Sequence, residues 1–144
     1  MSLYDYIVDA VDTVKAKLEL VTRAWQLQVP IISAMGAGNK LDTSKLTISD
    51  IYKTSACPLA RVMRCELRRR GIPKLKVAYS AELPIKPTTS EMESEPDGDL
   101  SSSYIAPIYV SRRVIPGSSS FVPPAMGLMI AGEILREIGF NNRS

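Results

Sequence analysis

The chain has 144 residues, enough for one domain with a hydrophobic core, and its 18 basic and 15 acidic residues leave a net charge of +3. The lack of histidine excludes a Ser-His or Cys-His catalytic pair within this chain, and the two cysteines, Cys57 and Cys65, lack the paired spacing of a structural zinc site. No run approaches the roughly 18 apolar residues of a membrane span and no N-terminal signal pattern is present, so we expect a cytoplasmic protein without a membrane partner.

The first predicted elements are a short strand and the helix that follows it. Aromatic and β-branched residues at positions 4–8 are typical of a buried strand. From Val14 to Trp25 apolar residues recur at helical spacing, and Pro30 disfavours helix just before it, so we predict a helix over 14–28. A parallel strand that leads into a helix is the repeating unit of α/β folds.

Two aspartates follow this first strand. Asp9 and Asp12 fall at the carboxyl end of the strand, where open α/β sheets bind their ligands. Asp12 or Thr13 could equally serve as the N-cap of the helix by accepting a hydrogen bond from its first free N–H groups. From these residues alone, a loop acid and a helix cap are the simpler interpretation, and a ligand site is the alternative.

Strands and one arginine-rich helix are predicted for the middle of the chain. Alternating or continuous apolar residues indicate strands over 31–35, 45–52 and 74–82. Pro58 suits the first position of a helix and Gly71 suits the position after its end, so we predict a helix between them.

Charge is concentrated in two segments. Residues 61–76 contain seven basic residues and one acid, which is a possible phosphate-binding surface. Arg61, Arg64 and Arg68 share the outer side of the predicted helix, although arginines near its end would also complement the helix dipole. Five acids lie in a proline- and serine-containing stretch over 84–104, which we predict to be a mobile loop.

The C-terminal part is predicted to contain a strand over 104–115, a turn at 117–120 and a helix over 125–138. Gly127 and Gly132 are expected to allow close packing of this helix on the sheet. Five of its apolar side chains are expected to point inward: Met126, Met129, Ile130, Ile134 and Ile138.

Three motifs follow one another along the chain. They are D-A-V-D-T-V-K-A-K at 9–17, P-I-I-S-A-M-G-A-G at 30–38 and G-S-S-S-F-V-P-P-A-M-G at 117–127. In this order they resemble the ubiquitin-activating-enzyme-like adenylating family of the ThiF, MoeB and HesA type, and within it the tRNA threonylcarbamoyladenosine dehydratase branch. The sulfur-carrier branches have D-N-x-x-x-R after the strand and paired CxxC zinc motifs, neither of which occurs here.

The resemblance implies an α/β fold in which residues 1–144 form the C-terminal part of one adenylating domain, with a Rossmann-like mixed sheet flanked by helices. The nucleotide-binding half of that domain would lie upstream. Neither GxGxxG nor a P-loop sequence occurs in this chain, so we expect the chain alone to be inactive.

The activity that the resemblance implies is an ATP-dependent dehydration. The carboxylate of a threonylcarbamoyl group on tRNA would be adenylated, and cyclisation would then release AMP. Asp12 would contact Mg²⁺–ATP and Lys17 would take the place of a basic residue near the same site, with no zinc required. Asp9 is expected to be a structural partner. Cys57 is the candidate for a covalent relay, since a helix N-terminus and the nearby Arg61 would lower the pKa of its thiol.

Partners follow from the same resemblance and from charge. Arg61, Arg64 and Arg68 would bind tRNA phosphates. A homodimer is expected because a truncated sheet exposes an edge and helix faces, and a sulfur-transfer protein is a further possible partner. Two alternatives stay open: a sulfur-carrier adenylyltransferase of the MoeB or ThiF type, and a non-catalytic protein-binding module.

Overall fold

A computed structural model describes residues 4–85 and 117–141. Within these ranges short 3₁₀ turns at Thr43–Lys45 and Ile51–Lys53 flank the third strand. The main elements in chain order are β1 (Ile7–Asp9), α1 (Val14–Leu27), β2 (Ile31–Ala34), β3 (Leu46–Asp50), α2 (Pro58–Arg69), β4 (Lys76–Ser80) and α3 (Val122–Asn141).

The described strands form one mixed sheet in the order β1-β2-β4-β3. β1, β2 and β4 are parallel, whereas β3 runs antiparallel to β4 at the edge. The register pairs Asp9 with Ser33 and Ala34 with Ala78, so the carboxyl ends of the three parallel strands meet at one edge of the sheet. The predicted α/β fold with a mixed, helix-flanked sheet is confirmed.

Helices cover both faces of this sheet. Because successive side chains of a strand point to opposite faces, Val77 and Ala78 of β4 belong to different cores. On one face, α3 contributes Met126 and Ile130 to the core around Ile32 and Ala78. On the other face, the core contains buried side chains from both α1 and α2 and from β4: Leu18, Val21, Met63, Leu67 and Val77.

Ion pairs fix the C-terminal half of α3 to the start of β4. The Lys76 ammonium lies 2.8 Å from Glu133 Oε1 and also contacts the Glu137 carboxylate. Hydrogen bonding from Lys76, followed by that from Arg136, holds the pKa of Glu133 below its usual value. α3 therefore runs from the carboxyl edge of the sheet towards its amino edge.

Most helix predictions are confirmed, while the strands are shorter than predicted. The first strand covers three residues because only Ile7–Asp9 pair with β2, and the prediction over 45–52 loses both ends to the 3₁₀ turns. The α2 prediction is correct, with Gly71 at a φ of +69° just after the helix. The predicted strand over 104–115 and the acidic loop beyond residue 85 lie outside the described residues.

Three expectations for the last helix are wrong. α3 begins at Val122 because Pro123 and Pro124 fit in its first turn, where no backbone N–H is needed. Its glycines are not points of close packing: a Cβ at Gly127 would meet nothing within 4 Å, and one at Gly132 would meet only the Arg136 side chain, at 3.7 Å. Ile138 is 42% exposed instead of pointing inward.

Candidate functional site

The carboxyl edge of the parallel strands gathers several chain segments. The loop between β1 and α1 lies there, and so does the loop that follows β2. Asn39 of the second loop is tied to the turn before α3, since its N–H donates to the Gly117 carbonyl at 2.7 Å and its Oδ1 accepts the Gly117 N–H at 2.8 Å. The N-termini of α1 and α3 therefore both open at this edge, where helix dipoles favour anions.

A buried ionic network lies directly beneath the edge. The Lys17 ammonium is 3.2 Å from both carboxylate oxygens of Asp9, 2.7 Å from the Ala34 carbonyl oxygen and 3.4 Å from Ser33 Oγ. The Ser33 hydroxyl donates to the same Asp9 carboxylate. Asp9 and Ser33 are fully buried and Lys17 is 1% exposed. The expectation that Asp9 is a structural partner is confirmed.

The resemblance placed Lys17 as a basic residue near the nucleotide site, and in the structure its side chain lies in this buried network. Its three N–H donors are directed at Asp9, Ser33 and Ala34, so the ammonium offers no free donor to a phosphate. The residue lies beneath the edge of the sheet, and any effect that it has on a ligand must pass through its neighbours.

Asp12 stands above this network on the exposed loop, and neither a hydrogen bond nor an ion pair occupies its carboxylate within residues 4–85 and 117–141. The helix begins after Thr13, whose side chain makes no capping hydrogen bond, so the expected side-chain cap from Asp12 or Thr13 is absent. Instead Asp9 Oδ1 accepts the Val11 N–H at 3.2 Å and shapes the loop. Asp12 is therefore free to bind a ligand.

A second buried lysine, which the sequence reasoning missed, holds the loop after β2. Lys40 is 2% exposed and its ammonium donates to the Glu82 carbonyl oxygen. The Glu82 carboxylate accepts the N–H groups of Leu41 and Asp42, both at 3.0 Å. Burial lowers the pKa of Lys40, while the thiol of Cys57 and the carboxylate of Glu82 act against that shift. No local pattern could reveal a contact that spans 42 residues.

Cys57 lies at the N-cap position of α2, as its sequence context predicted, but it is only 5% exposed and packs in the core under α1 and α2. Arg61, the cation expected to face its thiol, is exposed, and its backbone N–H rather than its guanidinium contacts Cys57. Cys57 instead interacts electrostatically with the buried ammonium of Lys40. A large substrate would have to displace core side chains to reach the sulfur.

The three arginines predicted to bind tRNA have different surroundings. Arg64 is half-buried, and its guanidinium donates to the Thr54 carbonyl oxygen at 3.1 Å and to the Thr54 hydroxyl. Arg68 is exposed and lies 5.3 Å above the centre of the Tyr52 ring, a cation–π arrangement. Arg61 is exposed. The structure therefore leaves Arg61 and Arg68 open to an RNA backbone and commits Arg64 to a protein contact.

Two further arginines at the end of α2 are partly neutralised. Arg69 and Arg70 pair with Glu66 at 2.8 and 2.7 Å. The hydrogen bond from Arg70, with Arg69 beside it, lowers the pKa of Glu66. The basic character of α2 is therefore weaker at its C-terminal turn than the count of arginines indicates.

A large concave surface of the described residues lies elsewhere. A broad groove of about 1070 Å³ lies at the amino edge of the sheet, between the C-terminal halves of α1 and α3, and includes Trp25, Lys74 and Glu137. Ligands of open α/β sheets bind at the carboxyl edge, so size alone does not make this groove the site. The described residues contain no cluster of three potential metal-ligating His, Cys, Asp or Glu side chains, and none of their helices is long and apolar enough to cross a membrane.

Comparison with known proteins bears on the chain as a whole. No family model matches the sequence. The tRNA threonylcarbamoyladenosine dehydratase of Bacillus subtilis is 35% identical over 135 residues, which are 93% of this chain and 50% of that protein. The chain is a partial match to the tRNA threonylcarbamoyladenosine dehydratases. Dehydratase 2 of Saccharomyces cerevisiae is 33% identical over 139 residues, covering 93% of this chain and 31% of that protein.

Solved dehydratase structures share the fold. The Escherichia coli tRNA threonylcarbamoyladenosine dehydratase in complex with AMP superposes with a TM-score of 0.75 at 20% identity, over 98% of this chain and 51% of that one. The same enzyme in complex with ATP gives a TM-score of 0.57 over 91% of this chain. The resemblance inferred from the three motifs is confirmed, and the chain spans about half the length of the bacterial dehydratase that it matches.

Proposed function

We propose that this chain forms one half of an ATP-dependent tRNA threonylcarbamoyladenosine dehydratase. The observation that carries the proposal is the exposed carboxylate of Asp12, which no other described residue engages, at the carboxyl edge of the parallel strands beside the N-terminus of α1. The similarity to dehydratases over 93% of the chain supports the choice of reaction. Since the relatives are longer, the remaining nucleotide contacts would come from the part of the dehydratase that this chain does not match.

The reaction removes one molecule of water overall. An oxygen of the threonylcarbamoyl carboxylate attacks the α-phosphorus of ATP, and the bond to the β-phosphate breaks to release pyrophosphate. The carbamoyl group then attacks the activated carbonyl carbon and loses one N–H proton to solvent. The ring closes, and AMP leaves with the bonding electrons of the acyl C–O bond. In such chemistry the protein acts mainly by aligning the carboxylate and the α-phosphate and by balancing charge.

Asp12 fits a Mg²⁺ ion that is bound chiefly by ATP. Mg²⁺ in nucleotide sites takes one or two carboxylates, with phosphate oxygens and water as the other ligands, and among the described residues Asp12 offers an open carboxylate at this edge. Mg²⁺ would supply charge neutralisation on the phosphates. The N-terminus of α1 would favour the same phosphates through its free N–H groups. Lys17 belongs to this proposal as the buried residue beneath the site, through its contact with Asp9.

A covalent relay through Cys57 is kept as a separate and optional step. The direct route above needs no thiol, and the position of Cys57 in the core does not favour nucleophilic attack on a tRNA-linked group. The dehydratase proposal therefore stands without it.

For tRNA binding we propose Arg61 and Arg68, on the outer side of α2, as the phosphate contacts. Both guanidinium groups are exposed, whereas that of Arg64 is engaged by Thr54. Removing either guanidinium should reduce the slope of log affinity against log salt by about one, because one fewer phosphate is then neutralised. An unchanged slope in a filter-binding assay of the variant Arg61→Gln would contradict this part of the proposal.

Two protein partners belong to the same proposal. A second copy of the chain is supported by the apolar side chains that α3 exposes to solvent, with Leu128 at 75% and Leu135 at 70%. A monomeric mass by light scattering at high concentration would contradict the homodimer. A sulfur-transfer protein is the other partner, and co-purification from a mixture with such a protein is its test.

The decisive experiment uses a chimera, in which this chain is joined to the part of the Bacillus subtilis dehydratase that the chain does not match. We expect the chain alone not to bind ATP, and the chimera to bind Mg²⁺–ATP and to dehydrate threonylcarbamoyl-tRNA. Asp12→Asn in the chimera should reduce turnover at least about tenfold, whereas the matched control Asp5→Asn, an exposed aspartate before β1, should not.

Three outcomes of this experiment contradict the proposal. A chimera that folds but ignores ATP favours the non-catalytic binding module. A chimera that adenylates the C-terminus of a sulfur-carrier protein and not modified tRNA favours the sulfur-carrier adenylyltransferase. Equal turnover of Asp12→Asn and Asp5→Asn removes Asp12 from the nucleotide site.

A further inference from the structure

Lys17 occupies an electrostatically unfavourable position. It is the fourth residue of α1, close to the positive end of the helix dipole, and its side chain is only 2% exposed. An ion pair at such depth is often no more stabilising than apolar side chains of the same volume. The net contribution of the ion pair to stability therefore does not explain why this position is a lysine, whereas the geometry of the lysine's contacts does.

Those contacts lead to the backbone of the exposed loop. Asp9 receives the Lys17 ammonium on both carboxylate oxygens, at 3.2 Å each, and the Ser33 hydroxyl on Oδ2. With the carboxylate held in this way, Oδ1 accepts the Val11 N–H at 3.2 Å. Val11 is the residue before Asp12, so the network holds the backbone that carries the free carboxylate.

The usual anchor of such a loop is missing. Thr13 is the N-cap of α1, yet its side chain makes no capping hydrogen bond. The described hydrogen bond from the Val11 N–H to the side chain of Asp9 is thus the one that links this loop to the sheet beneath it. An Asp side chain that accepts the N–H two residues on is a standard way of fixing a turn.

We propose that Lys17 is a positioning residue for Asp12. It orients the Asp9 carboxylate towards the Val11 N–H and thereby sets where the Asp12 carboxylate stands at the edge of the sheet, without itself touching a phosphate. This inference rests on the function proposed above for Asp12. It assigns to Lys17 an indirect role, in place of the nucleotide contact that the motif suggested.

The first test follows the loop in the full chain, with no nucleotide present. The double variant Asp9→Asn/Lys17→Met removes both charges and keeps the approximate shapes, so no buried charge is left unpaired. Amide hydrogen exchange at Val11, followed by NMR, should become about tenfold faster. Exchange at Val21 inside α1 should not change. The matched control Lys15→Met, an exposed lysine in the same helical turn, should leave both rates as they are.

The second test measures catalysis in the chimera. The double variant should lower kcat for dehydration about tenfold while the KM for tRNA and the urea midpoint of unfolding stay close to those of Lys15→Met. If the double variant fails to fold, it is replaced by Ser33→Ala, which removes only the hydroxyl that holds the Asp9 carboxylate. Ser33→Ala should also make Val11 exchange faster and lower kcat.

The outcomes separate this inference from the proposed function. Unchanged exchange at Val11, or an unchanged kcat with faster exchange, overturns the positioning role of Lys17 even when Asp12→Asn abolishes turnover. If Asp12→Asn leaves turnover unchanged, the nucleotide role of Asp12 is overturned, and the catalytic part of this inference with it. The hydrogen-exchange rate at Val11 still decides whether Lys17 holds the loop.

Discussion

Replacing Lys17 alone by methionine should be among the most destabilising single changes in the described part of the chain. The substitution keeps most of the side-chain volume but removes the cationic contact of the fully buried Asp9. Of its described contacts, those with the Ser33 hydroxyl and the Val11 N–H would remain. Removing one partner of a buried ion pair costs about 3–5 kcal/mol. A total stability of about 5–15 kcal/mol makes that a large fraction.

Urea unfolding of the full chain, followed by circular dichroism, measures this cost. With an m-value of about 1.5 kcal/mol per M, a loss of about 4 kcal/mol moves the midpoint down by about 2–3 M. Asp9→Asn alone should also be strongly destabilising, because it leaves the buried ammonium without a carboxylate. The double variant should lie far closer to the wild type than the sum of the two single effects, with a coupling of several kcal/mol.

Additive effects of the two single substitutions, or a Lys17→Met midpoint within about 0.5 M of the wild type, would refute this reasoning. Either result would mean that the pair is solvated or rearranged in solution. The matched control is Lys15→Met, whose side chain is exposed in the same turn of α1 and should change the midpoint very little.

The remaining predictions concern three other side chains. Arg64→Gln should lower the free energy of unfolding in urea by about 1–2 kcal/mol, because it leaves the Thr54 carbonyl oxygen without its donor, and should not alter the salt slope of tRNA binding. Arg61→Gln should reduce that salt slope and leave the free energy of unfolding nearly unchanged. The folded-state pKa of Glu133 is lowered by Lys76, so the stabilisation from its carboxylate is present above the ordinary pKa of 4.5 and is lost as the pH falls through the lowered pKa. Glu133→Gln should therefore make the urea midpoint less dependent on pH in the acid range. An unchanged pH dependence would contradict the ion pair. Cys57→Ala should lower stability by about 1 kcal/mol and leave dehydration by the chimera intact, while a complete loss of turnover in a folded variant would establish a thiol relay.

The fold could be predicted well wherever the chain carries local signals. The apolar spacing from Val14 to Trp25, and the Pro58 and Gly71 signals around α2, depend on contacts within one helix, so a single stretch of sequence contains them. Strand ends were less predictable because they depend on pairing. β1 begins only at Ile7, because its pairing with β2 begins there, and nothing in the sequence of residues 4–6 shows that they lie outside this pairing.

The site could be predicted in part. The place of Asp12 at the carboxyl edge of the sheet could be predicted, since that edge follows from strand order, whereas its role in nucleotide binding stays a prediction. The contacts of Lys17 with Ser33, of Lys40 with Glu82 and of Arg64 with Thr54 were not visible, because folding brings these segments together. Charge counted along the sequence therefore overstated how many cations are open to a ligand.

The two cores of this protein differ in how much chain each one needs. The core under α1 and α2 is assembled from residues between Val14 and Tyr79, whereas the core on the opposite face needs α3, which begins at Val122. During synthesis from the N-terminus, the four described strands are therefore made before the helix that covers the second face of their sheet. A nascent chain halted just after β4 should present Ile32 and Ala78 to water, and to chaperones that bind apolar strands, until α3 emerges.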